Sequence, residues 1–251
     1  MLDMLLSPAP TPYDLRFSLG PIPVRVHPLF WLLAMFLGWD TVNLGLGYLL
    51  VWVACVFVSI LVHELGHAIA FLYFGARPQI VLCFGGLAIP DRSLRSRPQN
   101  IVTLLAGPGA GFLLLASVLL SEEVFHWVRA DNDLTIYLYG FLYNINLYWG
   151  ILNLIPVWPL DGGQVSREVC QKYRRHDGAQ LSLKISIAFG GTLAVLSLLG
   201  TRGMFPGLFE TMPFLPRSTF GSIMFGLLAF ESWQALQAFD RNDRWDDRPP
   251  R

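Results

Sequence analysis

Charge is what this sequence lacks most. Asp, Glu, Lys and Arg make up 14% of its 251 residues, where a soluble globular chain carries about 25%. With 53% hydrophobic residues and a positive mean hydropathy, it has too few polar side chains to coat a soluble domain. Lipid removes that requirement. The 18 basic residues balance 18 acidic ones and fall in short clusters, so a nucleic-acid-binding surface is excluded. Cysteine is scarce: Cys55, Cys83 and Cys170 have no paired spacing. That leaves no disulfide framework and no thiolate metal site, and each reads as a small buried hydrophobe. Also missing is a basic region ahead of an apolar core at the start. Residues 1–27, with Pro8, Pro10 and Pro12, read as an interfacial surface arm and not as a signal peptide.

Long apolar runs are what the chain has instead. They fall into six groups: Leu29 to Trp39, Leu44 to about Phe74, Ile101 to Leu120, Leu134 to about Ile155, Leu181 to Leu199, and Phe220 to about Phe239. A crossing helix needs roughly 20 residues; the first group is short for this and the second is over-long. The eight Trp and eight Tyr suit headgroup level. Charge placement orients the whole. Arg77, Arg92, Arg95 and Arg97 follow the second group, and Arg167, Lys172, Arg174 and Arg175 follow the fourth. A cytoplasmic N-terminus puts all of these inside. The expected fold is an all-α polytopic membrane protein of about six transmembrane helices. Its transmembrane domain is residues 28–239 and its charged cytoplasmic tail residues 240–251. Between the second and third helices, Pro78 to Pro90 brackets Gly85-Gly86 with β-branched residues, which fits a small membrane-associated β-hairpin or an apolar surface loop.

His63-Glu64-Leu65-Gly66-His67 is the sharpest signal. Spacing of four puts both imidazoles on one helix face, where they reach a single metal ion. Glu64, beside the first ligand, suits a general base. Three ionisable side chains in a transmembrane run cost several kcal/mol unless partners or a cavity meet them; a purely structural pairing is the bland alternative. A third ligand is required. His126 and His176 are poorly aimed, and His27 reads as an interfacial residue. Asp161, in Pro156-Val157-Trp158-Pro159-Leu160-Asp161-Gly162-Gly163, is the better candidate; otherwise it is a turn residue. The prolines stop the preceding helix and the glycines permit close approach. Asn146 and Asn153 share a helix face. Asn153 either supports the developing oxyanion or, like Asn146, makes an interhelical hydrogen bond. Ala106 to Gly111 opens a helix-like run rich in small residues, as tight packing requires.

Taken together, His63 to His67 and Asn153 to Gly163 resemble the two motifs of the site-2 protease family of intramembrane zinc metalloproteases. The resemblance covers roughly His27 to Gln164. It implies one zinc ion per chain on His63, His67 and Asp161, with Glu64 activating water and Asn153 at the active site. It further implies a single-pass or membrane-anchored protein substrate cut within or beside the bilayer. His67 lies seven residues before Phe74, the cytoplasmic end of its run, roughly 10 Å at helical rise, so the site is expected to open to the cytoplasmic side, and the lack of targeting features fits a bacterial inner membrane. Connections of about 24 residues leave no room for a PDZ or CBS domain. Gly111 and Pro28 depart from the family pattern, away from the ligands. Two other readings compete. An ion transporter would spread its charges over several helices and show inverted repeats. A catalytically inactive scaffold has no need of Glu64.

Overall fold

The computed structural model describes residues 9–83, 85–129, 132–204 and 218–246, the last seven by their backbone alone. The start of the N-terminal arm, the middle of the connection after Leu199 and the end of the tail lie outside the described residues. The chain forms two compact units, Met1–Gly150 and Ile151–Arg251.

A four-stranded sheet opens the first unit. Strands β1 (Leu15–Leu19) and β2 (Ile22–Val26) make an antiparallel hairpin. Gly20 turns it at φ 59°, where a two-residue loop favours glycine. Along β2, Ile22, Val24 and Val26 are buried while Pro23 faces out, the period-two alternation of a half-covered strand. Pro23 has no N–H to give, and it precedes Val24, where the second neighbour begins. Strand β3 (Pro78–Leu82) pairs in parallel with β2, and β4 (Gly86–Pro90) pairs antiparallel with β3. The order is β1-β2-β3-β4. The segment expected as a hairpin is therefore two strands of a larger sheet. The stretch expected as a featureless arm supplies the other two, and the fold is mostly helical without being all-α.

Helices carry the rest of this unit. Helix α1 (Pro28–Leu37) starts at His27, whose Nδ1 accepts the Leu29 N–H at 3.2 Å. A 3-10 stretch (Trp39–Leu44) leads into α2 (Leu46–Tyr73), and α3 (Arg97–Phe125) and α4 (Asp133–Leu154) follow, the last turn of α4 from Ile151 belonging to the second unit. Phe30, Ala34, Val56 and Ile60 cover the sheet face made by Ile22, Val24, Ile80 and Leu82. Helix α3 begins with Pro98 in its first turn, so Ala106 to Gly111 lies mid-helix and does not open the run. It serves close approach there. A Cβ on Gly66 of α2 would strike the Ala106 carbonyl and the Ala110 Cβ.

The second unit holds α5 (Asp161–Tyr173), α6 (Gly178–Thr201) and α7 (Thr219–Asp246). Helix α5 occupies what the sequence offers as a plain connection. Its Gln, Arg, Glu and Lys residues hide it from a search for apolar runs. Gly190 and Ala229 let α6 and α7 meet closely, and Phe225 fills the core with Leu193, Leu196 and Leu228.

Among the described residues, three helices are long and apolar enough to cross a membrane: α2, α3 and α6. Only 33%, 33% and 22% of their apolar stretches are buried inside the protein, so most of that surface faces outward, as lipid contact demands. The other three apolar groups fold into α1, α4 and α7.

Candidate active site

On α2 the residues Ser59, His63 and His67 follow one another at helical spacing, and all are buried. Glu64 is 4% exposed. The two imidazoles meet edge to face with centroids 4.9 Å apart, and their Nε2 atoms approach to 3.2 Å. His67 Nδ1 lies 2.7 Å from the Thr103 carbonyl on α3. A carbonyl only accepts, so Nδ1 carries the proton and the Nε2 lone pair is left to face His63. Metal-binding histidines are oriented this way, by a hydrogen bond at the other ring nitrogen.

Glycines shape the walls. A Cβ on Gly107 of α3 would collide with the His67 ring, and one on Gly86 of β4 with the Glu64 carboxyl group. Both side chains thus press directly on backbone. The Trp149 ring of α4 stands 6.4 Å from His63, edge to face. One turn before His63, Ser59 Oγ accepts a hydrogen bond from Asn146 Nδ2 at 2.9 Å; Asn146 is an interhelical tie, as its place on an apolar helix suggests. This pocket suits a metal ion: two imidazole Nε2 atoms face one another, the tautomer of His67 is fixed, and a carboxyl group is buried alongside.

The second unit places Asp161 as the first residue of α5, 8% exposed, and Asn153 in the last turn of α4, 7% exposed. Between them the chain turns through Pro156 and the cis Trp158–Pro159 bond. No Cβ would fit at Gly162 or Gly163, which lie against the backbone of Leu154, Ile155, Val157 and Trp158. His27 caps α1, His126 ends α3 in a left-handed conformation, and His176 is exposed. Sequence reasoning missed Thr103, Gly107 and Ser59. A backbone carbonyl leaves no residue-type signal; Ser59, four before His63, was detectable as a polar group on the same face.

The model of Peptidase family M50 matches residues 123–197, a stretch that holds Asn153 and Asp161 and excludes His63. A zinc metalloprotease of Methanocaldococcus jannaschii is 30% identical over 194 residues, 74% of this chain and 53% of that protein. Stage IV sporulation protein FB of Bacillus subtilis is 30% identical over 173 residues, 67% and 55% respectively. The chain thus spans about half the length of the curated relatives it matches. The solved structure of a site-2 protease from Methanocaldococcus jannaschii is similar with a TM-score of 0.56 and 28% identity, covering 84% of this chain and 94% of that one. The buried His63–His67 pair, the apolar helices and these likenesses converge on one assignment: the chain is an integral membrane protein carrying a peptidase family M50 domain, that of the site-2 proteases.

Proposed function

We propose that this protein hydrolyses peptide bonds of membrane-spanning or membrane-anchored proteins, within or beside the bilayer, as a zinc metalloendopeptidase. One observation carries the reading: the Thr103 carbonyl fixes His67 so that its Nε2 faces that of His63, with Glu64 buried next to them. His63, His67 and Asp161 would hold one zinc ion per chain. Two imidazoles and a carboxylate, all buried, make a donor set typical of hydrolytic zinc sites. Zinc there supplies Lewis acidity, which activates water and polarises a carbonyl.

The side chains do the remainder. Glu64 takes the proton of the attacking water and returns it to the leaving amine. Asn153 donates to the developing oxyanion. Strand β4 ends the sheet with a single neighbour, β3, so its other edge can pair with an extended substrate. Because Gly86 abuts Glu64, a chain added there runs beside the base. N-methylating alternate amides of a substrate peptide should abolish its cleavage; indifference to N-methylation removes this step.

Six crossings with a cytoplasmic N-terminus, in a bacterial inner membrane, agree with the Arg clusters after α2 and α4. The test of function uses the detergent-purified chain and a membrane-anchored reporter. Wild type should bind about one zinc and cut. Glu64→Gln should keep the zinc and lose roughly 100- to 10,000-fold in rate, and Asp161→Ala should lose both. Folded wild type without zinc, or a Glu64→Gln variant that still cuts, overturns the reading.

A further inference from the structure

A carboxylate that is to serve as a metal ligand must be held to about half an ångström, yet Asp161 follows a turn with little backbone bonding of its own. Between Leu154 and Asp161 the local bonds are Val157 N–H to the Ile155 carbonyl, 2.7 Å, and Leu160 N–H to the Val157 carbonyl, 2.9 Å. The Trp158 peptide is fastened from outside the turn. Its N–H donates to Ser186 Oγ of α6 at 3.1 Å. The Ser186 hydroxyl proton points to the Ser182 carbonyl at 2.9 Å, with the Pro156 carbonyl at 3.3 Å sharing it. The Trp158 carbonyl lies 3.4 Å from Ser232 Oγ of α7, whose proton goes first to the Leu228 carbonyl at 2.8 Å and is shared with Trp158 at the longer distance. The Arg167 guanidinium of α5 sits 5.3 Å over the Trp158 ring. Ser186 and Ser232 are fully buried.

Three helices therefore grip one residue three positions before Asp161. On its other side, Gly162 and Gly163 seat α5 on the turn without room for a Cβ. We propose that Ser186 is a positioning residue for Asp161: by holding the Trp158 and Pro156 peptides it sets where the carboxylate stands, and so tunes metal affinity. This rests on Asp161 being a zinc ligand. The Ser186 hydroxyl acts through backbone groups, the Trp158 N–H and the Pro156 and Ser182 carbonyls. Its hydroxyl is an anchor that the sequence motif around Asp161 does not contain.

Ser182 provides the control. It is equally buried, one turn earlier on α6, and its hydroxyl donates only to the Ala179 carbonyl of its own helix. Zinc affinity of the full chain in detergent is measured by competition with a chelator, below the melting temperature of every variant. Visible spectra of the cobalt-substituted forms are recorded as well. Ser186→Ala should bind zinc 10- to 100-fold more weakly, the range seen when groups that orient ligands are removed, and should shift the cobalt bands. Ser182→Ala should bind within twofold of wild type. Should Ser186→Ala bind as tightly as Ser182→Ala while Asp161→Ala loses zinc, the positioning role falls and the ligand stands. Should Asp161→Ala keep wild-type affinity, the ligand reading falls and takes the Ser186 role with it.

Discussion

Gly107 lacks a side chain at the one place where the His67 imidazole needs the room. Adding a methyl group there forces either the ring off its rotamer or α3 away from α2, and overpacking of this kind costs about 1–3 kcal/mol. Gly107→Ala is therefore expected to lower both the melting temperature and the zinc content, read by elemental analysis. Gly109, with open space around its Cβ position, should accept alanine without loss of zinc. At this scale the sequence is uneven as a guide. The spacing of His63 and His67 dictates that both lie on one face, because a helix repeats every 3.6 residues, and an apolar run makes helix the default. Asp161 stands out through the prolines and glycines around it. The Thr103 carbonyl and the Ser186 anchor are silent, since any residue supplies a carbonyl and serine is common in membrane helices.

Elements are joined by a few polar ties. Asn146 reaches from α4 to Ser59 on α2, and interhelical hydrogen bonds in membrane proteins contribute about 0.6 kcal/mol, at most about 1.7. Ser59→Ala should cost that much in unfolding experiments in micelles and leave cleavage within a few-fold. Outside the membrane, Asp14 ties the β1–β2 hairpin. Burial pushes its carboxyl up, but hydrogen bonds from the Thr11 hydroxyl and amide and from Arg25 outweigh this and hold it at about 2. A folded value below the ordinary 3.8 means that the contact stabilises fully above about pH 4. The contribution fades as pH falls toward 2. Hydrogen-exchange protection factors of β1 and β2, corrected for the intrinsic rate at each pH, should fall across that interval, and Asp14→Asn should remove the pH dependence. The helices were largely legible, because long apolar runs have few alternatives. The hairpin at Leu15 to Val26 was not: its strands are five residues each, and β1 alternates weakly, with only Phe17 half-buried. The parallel β2–β3 pairing joins segments more than fifty residues apart, which no local pattern encodes.

For the molecule as a whole, the sheet constrains the path of the chain through the bilayer. Hydrogen-bonded strands share one side of a membrane, so the chain between Val26 and Pro78 must cross an even number of times. Helix α2 is long and apolar enough for one crossing. The other would then fall to α1 and the 3-10 stretch, whose ten and six residues rise about 27 Å together, close to the roughly 30 Å hydrocarbon thickness. Single cysteines in place of the exposed Ser18 and Arg92 should be labelled from the same side of sealed vesicles. One in place of Glu123, at the far end of α3, should be labelled from the opposite side. Labelling of Ser18 and Arg92 positions from opposite sides would remove the first crossing. The same parallel pairing also sets a clock during synthesis. Val24 waits for Ile80, and a ribosome adding about 5–20 residues per second makes that wait roughly 3–11 seconds. Through that interval the nascent hairpin presents a bare edge, and the four-stranded sheet of the first unit closes only when the far end of α2 has been delivered.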